Sequence, residues 1–193
     1  MTEVSINKQA RLSQHLASPS AAALSHSSEL DGLRLTPHFT LGELCKTSAK
    51  TQDGNIPSHV HIENLKRLCW WLEKLRSEYN RRYGGLTPDP SPKGEGSEYK
   101  EAPIIINSGY RSAAVNKAVG GVPSSNHLTG CAADIRVENM QQLLRYAVIL
   151  LDIADESKEA FDELIIEKNA RGAIWLHFAV RPQNNRMRIR LIH

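Results

Sequence analysis

The chain has 193 residues, 40% of them hydrophobic and 23% charged, which suits one compact domain and excludes a disordered or coiled-coil protein. Its net charge of +3, from 24 Lys plus Arg against 21 Asp plus Glu, is too small to point to a nucleic-acid partner. The longest apolar stretch, Tyr146 to Ile153, is far too short for a membrane span and contains Asp152.

Residues 1–32 are rich in Ser and Ala, with Pro19 and Gly32 as punctuation, and read as a loosely attached arm in which Lys8 to Leu16 could form a short helix. The first twenty residues lack the apolar core of a secretory signal. Synthesis in the cytoplasm is therefore expected, with lysis, a holin or dedicated export as routes to the outside. The main domain is expected over 33–193. Phe39, Leu41 and Leu44 anchor a turn or short helix, and Thr40 with Glu43 has the spacing of a capping box.

The clearest helix runs from about Ser58 to Tyr79, where Ile62, Leu65, Leu68, Cys69, Leu72 and Leu75 recur at three- and four-residue spacing. Trp70 and Trp71 cannot both sit at the centre of that stripe; one of them should flank it and pack under another element. Residues 84–100 are dominated by Gly, Pro and polar residues and read as a surface loop. Next come a strand at Ile104 to Ile106, a short helix at Ser112 to Val119, a strand at Ala133 to Val137 and a helix at Met140 to Leu151. Glu163 to Glu167, Ala173 to Val180 and Met187 to Ile192 read as a three-strand meander, turned at 169–172 and 182–185. Alternation of Arg186, Arg188 and Arg190 with Met187, Ile189 and Leu191 suggests one wet and one dry face on the last strand. Early helices followed by a meander indicate an α+β fold. Cys45, Cys69 and Cys131 form no closed disulfide framework and read as reduced thiols.

Chemically loaded residues concentrate between Asn107 and Asp134, where glycines at 109, 120, 121 and 130 permit unusual backbone angles or close approach. His127 and Asp134 are seven residues apart, too far for one helical turn, yet a loop running into a strand can fold them toward a common point. His177 shares a strand face with Trp175 and Ala179, opposite the core face of Leu176, Phe178 and Val180. Two imidazoles and one carboxylate are the ligand types of a catalytic zinc whose fourth position stays open. Spacing alone also allows the plainer alternative, with His127 closing a loop and His177 a hydrogen-bonded, half-buried histidine.

The motif Ser108-Gly109-Tyr110-Arg111-Ser112, then Val115-Asn116, Val119-Gly120-Gly121 and Ser125-Asn126-His127 through Gly130, Ala132 and Asp134, resembles the signature of zinc D-Ala-D-Ala carboxypeptidase-like metallopeptidases of bacteria and phages. Trp175-Leu176-His177 is similar to the family's closing segment, and His38-Phe39-Thr40-Leu41 with Glu43-Leu44, and Glu63-Asn64-Leu65, add to the likeness. It covers roughly residues 35 to 181, broken by the 84–100 loop, which the resemblance marks as an insertion.

The resemblance implies a hedgehog/DD-peptidase-like α+β fold, a small antiparallel sheet packed against helices, with Zn²⁺ held by His127, Asp134 and His177. It also implies hydrolysis of stem peptides in peptidoglycan, of DD-carboxypeptidase or endopeptidase (endolysin) type, by a monomer without a nucleic-acid partner. Arg111 is then expected at the substrate, where its fork suits a carboxylate or developing oxyanion, with Ser125, Asn116 and Tyr110 adding contacts. Many relatives carry a Glu three residues before the last ligand, where this chain has Ile174. Glu167 is the expected replacement as acid/base residue. If 169–172 turns the hairpin with Trp175 opposite Glu167, the carboxylate shares the face of His177, whereas a one-residue slip points it away. The missing Glu also leaves open a zinc-bound module that binds wall or a structural partner without cleaving.

Overall fold

The computed structural model describes residues 32–84 and 101–192. The expected arm, its Lys8 to Leu16 helix and nearly all of the 84–100 loop lie outside the described residues. Helix α1 spans Leu41–Cys45 and α2 His59–Tyr83; strand β1 is Ile106–Ser108 and helix α3 Ala113–Ala118. A 3-10 turn at Asn126–Thr129 leads into β2, Ala132–Arg136, followed by α4, Met140–Ser157. Strands β3, Glu163–Lys168, β4, Ile174–Ala179, and β5, Arg188–Ile192, complete a sheet ordered β1-β2-β4-β3-β5.

Period-two alternation gives this sheet two unlike faces. Ala133, Ile135, Leu164, Leu176 and Phe178 are buried in one core with Leu65, Leu68, Leu72 and Leu75 of α2 and Leu143, Ala147 and Leu150 of α4. The intervening residues, among them Asp134, Glu163, Glu167 and His177, line a cleft on the other face. Burial of whole aliphatic side chains, about 1.5–3 kcal/mol each, ties the helices to the first face. The polar residues of the second are left free to serve a site.

The α+β class is borne out, but the last three strands are not a meander. β3 and β4 form the expected hairpin, closed by Asn169 N–H donating to Ala173 O (3.0 Å) and by Gly172 at φ 86°. β5, by contrast, pairs parallel with β3, Glu163 opposite Arg188 through Glu167 opposite Ile192. The cause lies at Asp162. Its fully buried carboxylate accepts from Arg186 Nε (2.8 Å), Arg186 Nη2 (2.5 Å), Arg181 Nη1 (3.3 Å) and Asn126 Nδ2 (2.8 Å). The chain leaving β4 is thereby gripped at the start of β3, where Met187 N–H donates to Phe161 O (3.0 Å) and Arg188 N–H to Asp162 O (3.0 Å). From that point it can only run alongside β3 in the same direction.

Two further expectations are refined. Of the tryptophans, Trp71 is buried against Phe178, ring centroids 5.4 Å apart, whereas Trp70 is 56% exposed and packs under nothing that hides it. β5 has no dry face, because Ile189 and Leu191 are 58% and 66% exposed. Among the described residues no helix is long and apolar enough to cross a membrane.

Trp71→Ala should cost about 3–5 kcal/mol of stability, and Trp70→Ala no more than about 0.5 kcal/mol, as read from urea unfolding. Burial alone would raise the Asp162 pKa, but hydrogen bonds from Arg186 and Asn126 outweigh it and hold the group at about 2 against an ordinary 3.8. The folded chain thus refuses a proton that the unfolded chain accepts. The stabilisation, about 2 kcal/mol, is complete above the unfolded value and fades as pH falls through about 2. Unfolding series on wild type and Asp162→Asn should show a stability gap that narrows between pH 5 and pH 2; a constant gap would contradict this role.

Candidate metal centre

Each ligand candidate is set by its own local device. Ser125 caps the 3-10 turn, its hydroxyl accepting from His127 N–H (3.3 Å), and Gly130 ends the turn at φ 70°. A Cβ at Gly130 would come within 2.7 Å of His61 O on α2, so the turn can seat there only with glycine. Gly109 is equally constrained: its Cα faces the Leu44 carbonyl, to which Tyr110 N–H donates (2.7 Å), and an added Cβ would overlap that oxygen. This close approach presents Gly109 O to His127 Nδ1 at 2.6 Å. A carbonyl only accepts, so Nδ1 carries the proton and the lone pair of Nε2 is aimed at the cleft.

Asp134 and His177 come from adjacent strands. Antiparallel register places Asp134 directly opposite His177, flanked by Ala133 opposite Phe178 and Ile135 opposite Leu176. His127 Nε2, Asp134 Oδ1 and His177 Nδ1 consequently form a small triangle, with sides of 3.2 Å (His127–Asp134), 2.9 Å (His177–Asp134) and 3.3 Å (His127–His177). Ligand bonds of about 2.0–2.1 Å in a tetrahedron require edges of about 3.3 Å, so the triangle is close to one face of that polyhedron. The chemistry of the donors agrees. With Nε2 of His127 unprotonated, two acceptors face each other at 3.2 Å, an arrangement a shared cation satisfies. All three residues are buried.

The protonation states suit the same purpose. Burial pushes the His127 pKa down and favours the neutral ligand. Burial by itself would raise Asp134, yet its polar partners in the cluster outweigh it and hold the carboxyl far below the usual carboxylate range. Neutral imidazole and ionised carboxylate are the forms that bind metal.

Around this centre lies a cleft of about 790 Å³. Glu167 pairs with Trp175 across the hairpin, so it lies on the face of His177, and its Oε1 is 3.9 Å from His177 Nδ1. Burial first, and then the negative charge of Asp134, raise its pKa. Arg111 also lines the cleft, but its guanidinium is partly engaged: Nη2 donates to Asp134 Oδ2 and Nε to Ser108 Oγ (2.8 Å). Ser125 is at the cleft wall in its capping role. Asn116 and Tyr110 are not brought to the cleft. Asn116 is buried behind the Val119–Val122 wall, its Nδ2 donating to Val122 O (3.0 Å). Tyr110 stacks on His61 at 4.8 Å, and its backbone carbonyl accepts from Asn55 Nδ2 (3.2 Å).

Sequence inspection passed over Glu163 and the arginines of the cleft rim. Glu163 Oε2 accepts from Asn126 Nδ2 (2.9 Å) and lies 3.8 Å from His177 Nε2, while its Oε1 accepts from Arg186 Nη2 (2.9 Å). The signal was available: on a strand, Glu163 shares the face of Glu167, four residues along. Arg181, Arg186, Arg188 and Arg190 all reach the cleft. The alternation of Arg186, Arg188 and Arg190 had been assigned simply to a solvated face.

Among curated proteins none matches this chain. The family model Peptidase M15 matches residues 96–151, a stretch that contains two corners of the triangle, His127 and Asp134. Over that stretch the chain is similar to the M15 peptidases, zinc D-Ala-D-Ala carboxypeptidase-like metallopeptidases, and together with the triad that His177 completes the match supports metal-dependent peptidase activity.

Proposed function

We propose that the chain hydrolyses stem peptides of peptidoglycan as a zinc-dependent DD-carboxypeptidase or endopeptidase. The observation that carries this is the buried triangle of His127, Asp134 and His177, open on one side to a cleft that also holds a carboxylate of raised pKa. His127 Nε2, Asp134 Oδ1 and His177 Nδ1 would hold the ion. When bound, zinc supplies Lewis acidity, polarising the scissile carbonyl and acidifying water beside it.

The remaining work falls to the chain's own residues. Glu167 is the proposed acid/base group. Its carboxylate takes the proton of the attacking water and returns it to the leaving amine, and a raised pKa brings it nearer the working range for both transfers. It takes the place of the Glu that Ile174 lacks, reaching the same centre from β3 instead of β4. Arg111 has two proposed tasks: it holds Asp134 by Oδ2, leaving Oδ1 for the ion, and it offers its remaining donors to the substrate carbonyl or carboxylate. Ser125 keeps His127 in place through the turn. Asn116 and Tyr110 are proposed to act by supporting the wall behind the cleft.

Glu167→Gln should bind one zinc per chain, as wild type does, yet lose at least about 100-fold in hydrolysis of purified peptidoglycan. Equal activity would remove Glu167 from the acid/base role, and zinc binding without hydrolysis by wild type would favour the non-cleaving binding module. Arg111→Lys keeps the charge but loses the planar fork, and kcat/KM should fall by about 10–100-fold. Unchanged efficiency would exclude Arg111 from both tasks.

A further inference from the structure

The arginines of the cleft differ in what they already hold. Arg181 and Arg186 are bound to Asp162, Arg186 also to Glu163, and Arg111 to Asp134. Arg188 has a loose pair, its Nη1 3.7 Å from Glu163 Oε1. Arg190 has no acidic partner among the described residues, although it lines the same cleft. The register explains why. Asp134, His177, Ile165 and Arg190 form one row across β2, β4, β3 and β5, so the neighbour of Arg190 on β3 is an isoleucine and offers no charge. In the adjoining rows Arg188 faces Glu163, and Ile192 faces Glu167.

Neighbouring strands are about 4.8 Å apart, so two steps along the row separate the backbones of His177 and Arg190 by about 10 Å. An extended peptide advances about 3.3–3.6 Å per residue. We propose that Arg190, assisted by Arg188, forms an anion subsite for a free carboxylate two or three residues from the scissile bond. The cleft thereby selects stem peptides in which that carboxylate is free over those in which it is amidated. The proposal rests on the peptidase function above and names its substrate class. Arg190 is exposed, so its guanidinium is solvated by water in the free protein and open to a ligand; a ligand carboxylate provides a charge-assisted pair where the protein provides none. Charged residues on an edge strand also hinder strand-to-strand aggregation, but that task is indifferent to the anion presented.

The test compares matched muropeptides, crosslinked and uncrosslinked, whose D-glutamate α-carboxylate is either free or amidated. For wild type, kcat/KM should be about tenfold or more higher on the free-acid form. Arg190→Gln should erase that preference through a raised KM, leaving kcat and hydrolysis of the amidated form unchanged. Arg190→Lys should keep part of the preference, because one carboxylate reads charge before geometry. Equal wild-type rates on both forms, or an equal loss on both in Arg190→Gln, would overturn the subsite while leaving the peptidase function standing. Failure of zinc-loaded wild type to cleave any of the muropeptides would overturn both.

Discussion

The pairing of β2 with β4 is the constraint on which the site depends. Asp134 and His177 are far apart in the chain, and the antiparallel register sets them side by side on the polar face of the sheet. The same register sets Ile135 against Leu176 and Ala133 against Phe178 on the buried face. A slip of one residue would turn the imidazole into the core and a phenylalanine into the cleft. The hydrophobic contacts with α2 and α4 therefore also fix the ligand geometry: the energy that selects the register comes from the side of the sheet that does no chemistry.

The third ligand obeys different rules. His127 belongs to a single 3-10 turn, and its ring is held from behind by a backbone carbonyl. Two glycines let that turn and the Ser108–Ser112 segment approach α2 and α1 more closely than any side chain would permit. Glu163, Asn126 and Asp162 then link the turn to the start of β3 and to the crossing that leads to β5. The turn that carries His127, strand β3 and the arginine-bearing edge thus share one polar network, in which Asp162 and Glu163 are each met by donors.

Much of this was legible in the residues because the local patterns were strong. The α2 stripe, the hairpin turn at 169–172, and the alternation that separates Trp175 and His177 from Leu176 and Phe178 are all short-range signals, and the structure follows them. The placement of Glu167 opposite Trp175 was one of two registers the hairpin allowed, and it is the one observed. What could not be read was non-local. No pattern within 187–192 says that the strand pairs parallel with β3, since the decision is made by a buried carboxylate twenty-four residues before Arg186 in sequence. Asn116 and Tyr110 were assigned by motif membership to contacts with substrate, whereas neither lines the cleft: Asn116 is buried against Val122 and Tyr110 against His61.

The closeness of the three donor atoms has a consequence for how a metal ion would be acquired. Zinc fingers collapse around metal because nothing else assembles their ligands. In this fold, packed helices, a paired sheet and a glycine-seated turn already bring the donors together. Loading would then be a local capture event, a small adjustment of side chains at the floor of a finished cleft, and the binding energy of a metal would go into affinity for the ion instead of into organising the chain.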